Sequence, residues 1–176
     1  MEGKVKRKME ENKKTIDVTA LGELLVDFTM NGQSEQGNLI FEACPGGAPC
    51  NVLAFLQKME KKTAFIGKVG NDQFGKMLKE TIEEAGINAS NLIFDNQINT
   101  TLAFVHTFEN GDRDFSFYRN PGADMMLTAA EINEETIKQS KIFHFGTLSM
   151  TAEGVREATK KAVKTAKENG CLISFD

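Results

Sequence analysis

The sequence predicts an α/β fold built on a mainly parallel sheet, and three observations carry that expectation. Apolar runs bounded by glycine or polar residues recur at Ile16–Phe28, Thr63–Val69, Ile142–Phe145 and Cys171–Phe175. Between them lie segments with apolar residues at helical spacing. The stretch Thr100–Arg119 breaks this alternation with two aromatic-rich strands around an Asn-Gly turn. Strands alternating with helices imply parallel pairing through crossovers, with cover on both faces of the sheet.

Taken in order, Ile16–Phe28 reads as a strand interrupted by Gly22 and Glu23. A polar turn follows at Gly32–Gly37, then a short strand at Asn38–Ala43. After Pro45-Gly46-Gly47 a helix is expected, with Val52, Phe55, Leu56 and Met59 as its apolar stripe. Thr63–Val69 is a buried strand. The next helix places Phe74, Met77, Leu78, Ile82 and Ala85 on one face, with Asp72 as its cap and Gly86 as its stop. Strands at Leu102–Phe108 and Phe115–Arg119 form a hairpin. A helix is expected over Thr128–Gln139, a strand over Ile142–Phe145, and a helix through Val155, Ala158, Thr159, Ala162, Val163 and Ala166 that Gly170 ends. Cys171–Phe175 is the last strand.

The chain has 176 residues, enough for one core, with 40% hydrophobic and 26% charged residues. Its net charge of -4 argues against a general nucleic-acid-binding surface. The basic residues are concentrated in Met1–Lys14, which reads as a disordered, solvated tail and not a signal peptide, because only Val5 and Met9 are sizeable apolar residues. No apolar run approaches the roughly 20 residues that span a bilayer, so a cytoplasmic protein without membrane contact is expected. Cys44, Cys50 and Cys171 fit no zinc spacing and read as free thiols.

Two segments imitate phosphate loops. Gly70–Met77 matches G-x-x-x-x-G-K, but Met77 stands where a Ser or Thr hydroxyl would meet magnesium, and Phe74 stands where amides would wrap phosphate. Asn120-Pro121-Gly122-Ala123-Asp124 resembles an anion loop, but Pro121 removes a donor and no long helix follows. It reads as a turn. In Pro45–Asn51, by contrast, Gly46 and Gly47 let backbone amides approach a ligand, and Asn51 can both donate and accept, as a polyol requires. The same spacing also suits a plain helix-start turn. Asp27, at the end of the first strand, can accept two hydroxyls or remain a solvated acid.

Together these residues resemble the ribokinase-like, or PfkB, family of carbohydrate kinases. Gly46–Gly75 is similar to the family's N-terminal signature, combining a glycine pair, an Asn entering a helix and a strand ending in G-x-V-G-x-D-x-F-G. The pieces at Thr101–Val105, Phe115–Thr128 and Phe143–Met150 most resemble fructokinases. The resemblance implies a three-layer sandwich over residues 15–176, with a small β-lid from segments near 28–45 and 100–119. It implies that Asp27, Gly46, Gly47 and Asn51 hold sugar hydroxyls, that Phe104 lines the pocket and that Arg119 reaches in from the lid. Phe104 as lid core and Arg119 as a surface charge remain open. His106 and His144 read as structural.

The resemblance further implies ATP-dependent phosphorylation of a hexose, with fructose foremost, with Mg²⁺ and a monovalent cation as cofactors, and a homodimer formed through the lid. A keto-deoxy sugar acid or a nucleoside is the alternative substrate, and a non-catalytic sugar-binding or dimerisation module the alternative role. The family's D-x-x-G-A-G-D element, which carries the catalytic base and phosphate-binding amides, has no match in the sequence. A sheet cut off part-way is therefore expected, with the base beyond the C-terminus and no phosphate transfer by this chain alone.

Overall fold

The computed structural model describes residues 14–107 and 112–176. Strands β1 (Ile16–Leu21), β4 (Thr63–Gly70), β5 (Asn88–Asp95), β8 (Ser140–Phe145) and β9 (Leu172–Phe175) form a parallel sheet in the order β5-β4-β1-β8-β9. Strands β2 (Leu25–Gln33), β3 (Leu39–Gly46), β6 (Leu102–Thr107) and β7 (Arg113–Tyr118) form a second sheet, β3-β2-β6-β7, antiparallel except between β2 and β6. The single strand expected over Ile16–Phe28 is therefore two strands. Gly22 and Glu23 lie where the chain passes from one sheet to the other. The hairpin's connection falls at residues 108–111, outside the described residues.

Side chains alternate across β1 and β4, so each strand feeds two cores. On one face Val18, Ala20, Phe65 and Val69 pack with Leu53, Leu78 and Ile82 from helices α1 (Ala48–Lys58) and α2 (Gln73–Glu84). On the other, Leu21, Ile66 and Phe143 pack with Ile137 of α3 (Glu134–Lys138) and Val155, Ala158, Ala162 and Ala166 of α4 (Glu153–Glu168). Helix, sheet and helix form three layers, as expected. The glycine stops hold too: Gly86 and Gly170 take positive φ angles of 84° and 66°.

Three expectations change. The apolar stripe of α1 is not its buried face. Val52, Phe55 and Met59 are exposed, Leu56 of that stripe packs partly buried against the core, and Cys50 and Leu53 are buried. The helix expected over Thr128–Gln139 is two pieces. A 3-10 turn, Ala129–Glu131, is followed by α3, which Asn133 caps anew through its bond from Glu135 N–H at 3.1 Å. Finally, β5 was not foreseen. Its Asn88, Ser90 and Asn91 disfavour a strand locally, and pairing with the wholly buried β4 overrides them.

Lys14, the one described residue of the basic tail, is tied down, its Nζ donating to the carbonyls of Ser140 and Asn169 at 2.8 Å. Lys68 is buried on β4, pairs with Glu131 at 2.7 Å and donates to Met126 O at 3.1 Å. No helix among the described residues is long and apolar enough to cross a membrane.

Asp72 joins α2 to the entry of β6. One oxygen accepts from Gly75 N–H and the Thr100 hydroxyl, and the other from Thr100 N–H, all at 2.8 Å. Burial would raise this carboxyl, but those donors outweigh it and hold it below the usual range. Its stabilisation is therefore present above the unfolded carboxylate pKa of about 4 and lost as pH falls through the lower folded value. Asp72→Ala is expected to cost about 1–2 kcal/mol at neutral pH and to flatten the acid limb of the melting curve, measured by circular dichroism from pH 7 to 2. A Cβ on Gly75 would run into the carbonyl oxygen of Gly70, so Gly75→Ala is expected to cost about 2–3 kcal/mol in urea denaturation.

Candidate functional site

From β1 the chain moves outward through β4 to β5, then returns to β8 and β9 on the other side. The order reverses between β1 and β8, and in parallel sheets ligands bind outside the carboxyl ends of strands at such a point. The N-terminus of α1 sits over it. A Cβ on Gly22, directly after β1, would lie 2.5 Å from Pro49 Cγ, and one on Gly146, directly after β8, 3.8 Å from the same atom.

The glycine pair is placed there by the end of β3. Gly46 and Asp27 share one face of the second sheet, in the register Leu25↔Gly46 and Asp27↔Cys44. They are so close that a Cβ on Gly46 would overlap Asp27 Oδ2. Gly47 has φ 121° and caps α1, and its own Cβ would overlap the carbonyl oxygen of Glu23. Asn51 N–H donates to Gly47 O at 3.0 Å, and its side chain is exposed, lining with Pro45, Gly46 and Cys50 a cavity of about 280 Å³ against α2. Asp27, Gly46, Gly47 and Asn51 are thus brought to one corner of the molecule. Among the described residues no hydrogen-bond donor reaches the Asp27 carboxyl, which burial pushes upward.

Two expected site residues are engaged by other protein groups. Phe104 pairs with Phe28 in register, one step out of phase with Asp27, so it projects from the opposite face of the lid. There it stacks on Phe28 (4.9 Å between centroids) and meets Phe41 and Tyr118 edge-on. Phe104 is lid core. Arg119 leaves the end of β7 and turns into the protein, with its side chain 10% exposed. Its Nε donates to Asp124 Oδ2 at 2.8 Å, Nη1 to Thr151 Oγ1 at 3.0 Å and Nη2 to Leu148 O at 3.1 Å. Asp124 in turn accepts from Thr101 Oγ1 at 2.5 Å. The guanidinium therefore latches the lid to the turn after β8.

The face that Asp27 does occupy also carries Ala103 and Phe117, paired with one another across β6 and β7. Strand alternation counted from Asp27 would have found them, had the parallel pairing of β2 with β6 been known. Glu23 was also missed. It lies two residues past β1, is 3% exposed, and its Oε1 accepts from Ala48 N–H at 2.9 Å. Its only sequence signal was that it interrupts an apolar run.

Neither phosphate-loop imitation forms a cradle. The start of α2 is filled by Asp72, whose carboxylate takes the Gly75 N–H. The acid of Asn120–Asp124 is buried against Arg119. No group of three or more His, Cys, Asp or Glu side chains suited to a metal ion is present among the described residues. These residues do not fit ATP or Mg²⁺. His144 is a strand residue bonded to Ser174 at 2.9 Å, and burial lowers its pKa.

A three-layer α/β domain with an attached β-lid defines a fold of the ribokinase type. Residues 15–176 match the pfkB family of carbohydrate kinases, and the chain belongs to that family. It is 44% identical over 161 residues to fructokinase-1 of Zea mays, an alignment covering 90% of this chain and 50% of that protein. Fructokinase from Xylella fastidiosa with bound ATP superposes with TM-score 0.85 at 33% identity, over 93% of this chain and 51% of that one. A ribokinase II candidate from Escherichia coli in complex with ATP and Mg²⁺ gives TM-score 0.83 at 30% identity, over 92% and 52%. The chain spans about half the length of the curated relatives it matches.

The two glycines should respond differently to a methyl group. In Gly46→Ala the obstacle is the end of the Asp27 side chain, which can turn aside. In Gly47→Ala it is backbone, at a φ that side-chain-bearing residues rarely adopt. Gly47→Ala is expected to cost about 2–3 kcal/mol and Gly46→Ala less than about 1.5 kcal/mol, compared by urea denaturation.

Proposed function

We propose that this chain forms the sugar-binding part of an ATP-dependent hexose kinase, with fructose as the phosphate acceptor. The observation that carries the reading is Asp27. It is a carboxylate that no described donor engages, set against Gly46 beside the start of α1. Its two acceptor oxygens suit the hydroxyl donors of a polyol. Family membership and the fructokinase relatives support the sugar class. In this reading Asp27, Gly46, Gly47 and Asn51 bind hydroxyls, while Phe104 and Arg119 hold the lid in shape. ATP and Mg²⁺ belong to the complete kinase, as the ligands of the related structures suggest, and a monovalent cation is part of the same proposal. The compartment is proposed to be the cytoplasm.

The lid also favours self-association. Ile40, Phe115 and Phe117 are exposed apolar residues on the face of the lid that carries Asp27, and a second copy of the chain would cover them. Sedimentation velocity should then show a dimer that Phe117→Asp dissociates.

Calorimetric titration with fructose, ribose, a nucleoside and a keto-deoxy sugar acid tests the substrate. Fructose is expected to bind most tightly, without ATP consumption by the 176-residue chain. Preference for another ligand would replace fructose, and no binding at all would sink the reading. Asp27→Ala is expected to weaken binding at least about tenfold, the loss of charge-assisted hydrogen bonds. The Asp27 pKa is raised, and the charged form is the better acceptor. Affinity should therefore fall as pH drops through that raised value, and this dependence should vanish in Asp27→Asn.

A further inference from the structure

Helix α1 begins without a cap of its own. Gly47 offers no side chain, and the first turn holds no acidic residue. The acceptor comes instead from 25 residues upstream, where Glu23 Oε1 takes the Ala48 N–H at 2.9 Å. The backbone of Glu23 holds the same loop from below, because the Gly47 α-carbon rests on the Glu23 carbonyl too closely for any Cβ. Glu23 thus grips the Gly46–Ala48 segment twice, by its side chain and by its main chain.

Stability alone does not account for this choice. Glu23 is 3% exposed, and its Oε2 is buried without a hydrogen-bond partner. A buried carboxylate oxygen lacking a donor is destabilising. A neutral side chain of similar shape would avoid that cost. The charged groups that act on it are Asp124 and Arg119 of the lid latch, and the Cys50 thiol on α1 lies within its field. The positive end of α1 offsets part of the burial.

We propose that Glu23 is a positioning residue of the sugar site: through the Ala48 N–H, its carboxylate sets the direction in which the Gly46 and Gly47 amides face the ligand. This rests on the sugar reading above. It assigns the residue a task that neither Asp27 nor Asn51 performs. They meet hydroxyls directly, while Glu23 holds in register the backbone that does so.

The test compares Glu23→Gln and Glu23→Leu in the 176-residue chain, by fructose titration, thermal melts and ¹H–¹⁵N spectra. Gln keeps an acceptor for Ala48 N–H, so it should bind fructose within about threefold of wild type, with unmoved Gly46, Gly47 and Ala48 signals. Leu fills the space without an acceptor. It should melt within a few degrees of wild type, yet bind about tenfold more weakly and shift those three amides. Wild-type affinity and unmoved amides in Glu23→Leu would overturn the proposal and leave the sugar reading intact. Lack of fructose binding by the unmodified chain would overturn the sugar reading, and this proposal with it. Should the Leu variant fail to fold, Glu23→Gln decides: a tenfold loss with unmoved amides would show that the charge matters and not the grip on Ala48, and would overturn the proposal.

Discussion

Pro49, at the start of α1, is pressed against the backbone where β1 ends. The contact is possible because Gly22 carries no side chain there, where a Cβ would lie 2.5 Å from Pro49 Cγ. That close approach fixes where α1 begins. It also rotates the helix so that Cys50 and Leu53 are buried and Val52, Phe55 and Met59 are left outside. The cavity beside Asn51, the position of the glycine pair and the setting of Asp27 all follow from it.

The acids around this corner are treated in different ways, and the difference sorts structure from chemistry. Asp72 and Asp124 are saturated with donors and serve as joints between elements. Among the described residues Asp27 has no donor and Glu23 has one for its two oxygens, and burial pushes both carboxyls upward. Polar groups left incompletely paired concentrate at functional sites, because a fold selected for stability alone would satisfy or remove them.

The lid shows the same division by face. Its one side is an aromatic cluster, Phe28, Phe41, Phe104 and Tyr118, that reaches α2 through Phe74. Its other side carries Asp27, Cys44, Ala103 and Phe117. Arg119 locks this sheet to the turn after β8, which couples lid and domain.

Much of this was legible in the residues. The alternation of apolar runs with helical spacing determined the parallel sheet and its two layers of helices, because burial demands those periods. Asp72 and Gly86 marked the ends of α2, because a short acid caps a helix start and glycine takes the positive φ at its end. Other features depended on partners far along the chain. The strand identity of β5 comes from β4, the face of Phe104 from its register with Phe28, and the latch of Arg119 from Asp124, Leu148 and Thr151. Glu23 is the clearest case. In the sequence it is an acid interrupting an apolar run, and only tertiary packing brings Ala48 N–H to its carboxylate. Local chemistry specified which residues carry polar groups suited to a ligand; long-range pairing decided which of them meet.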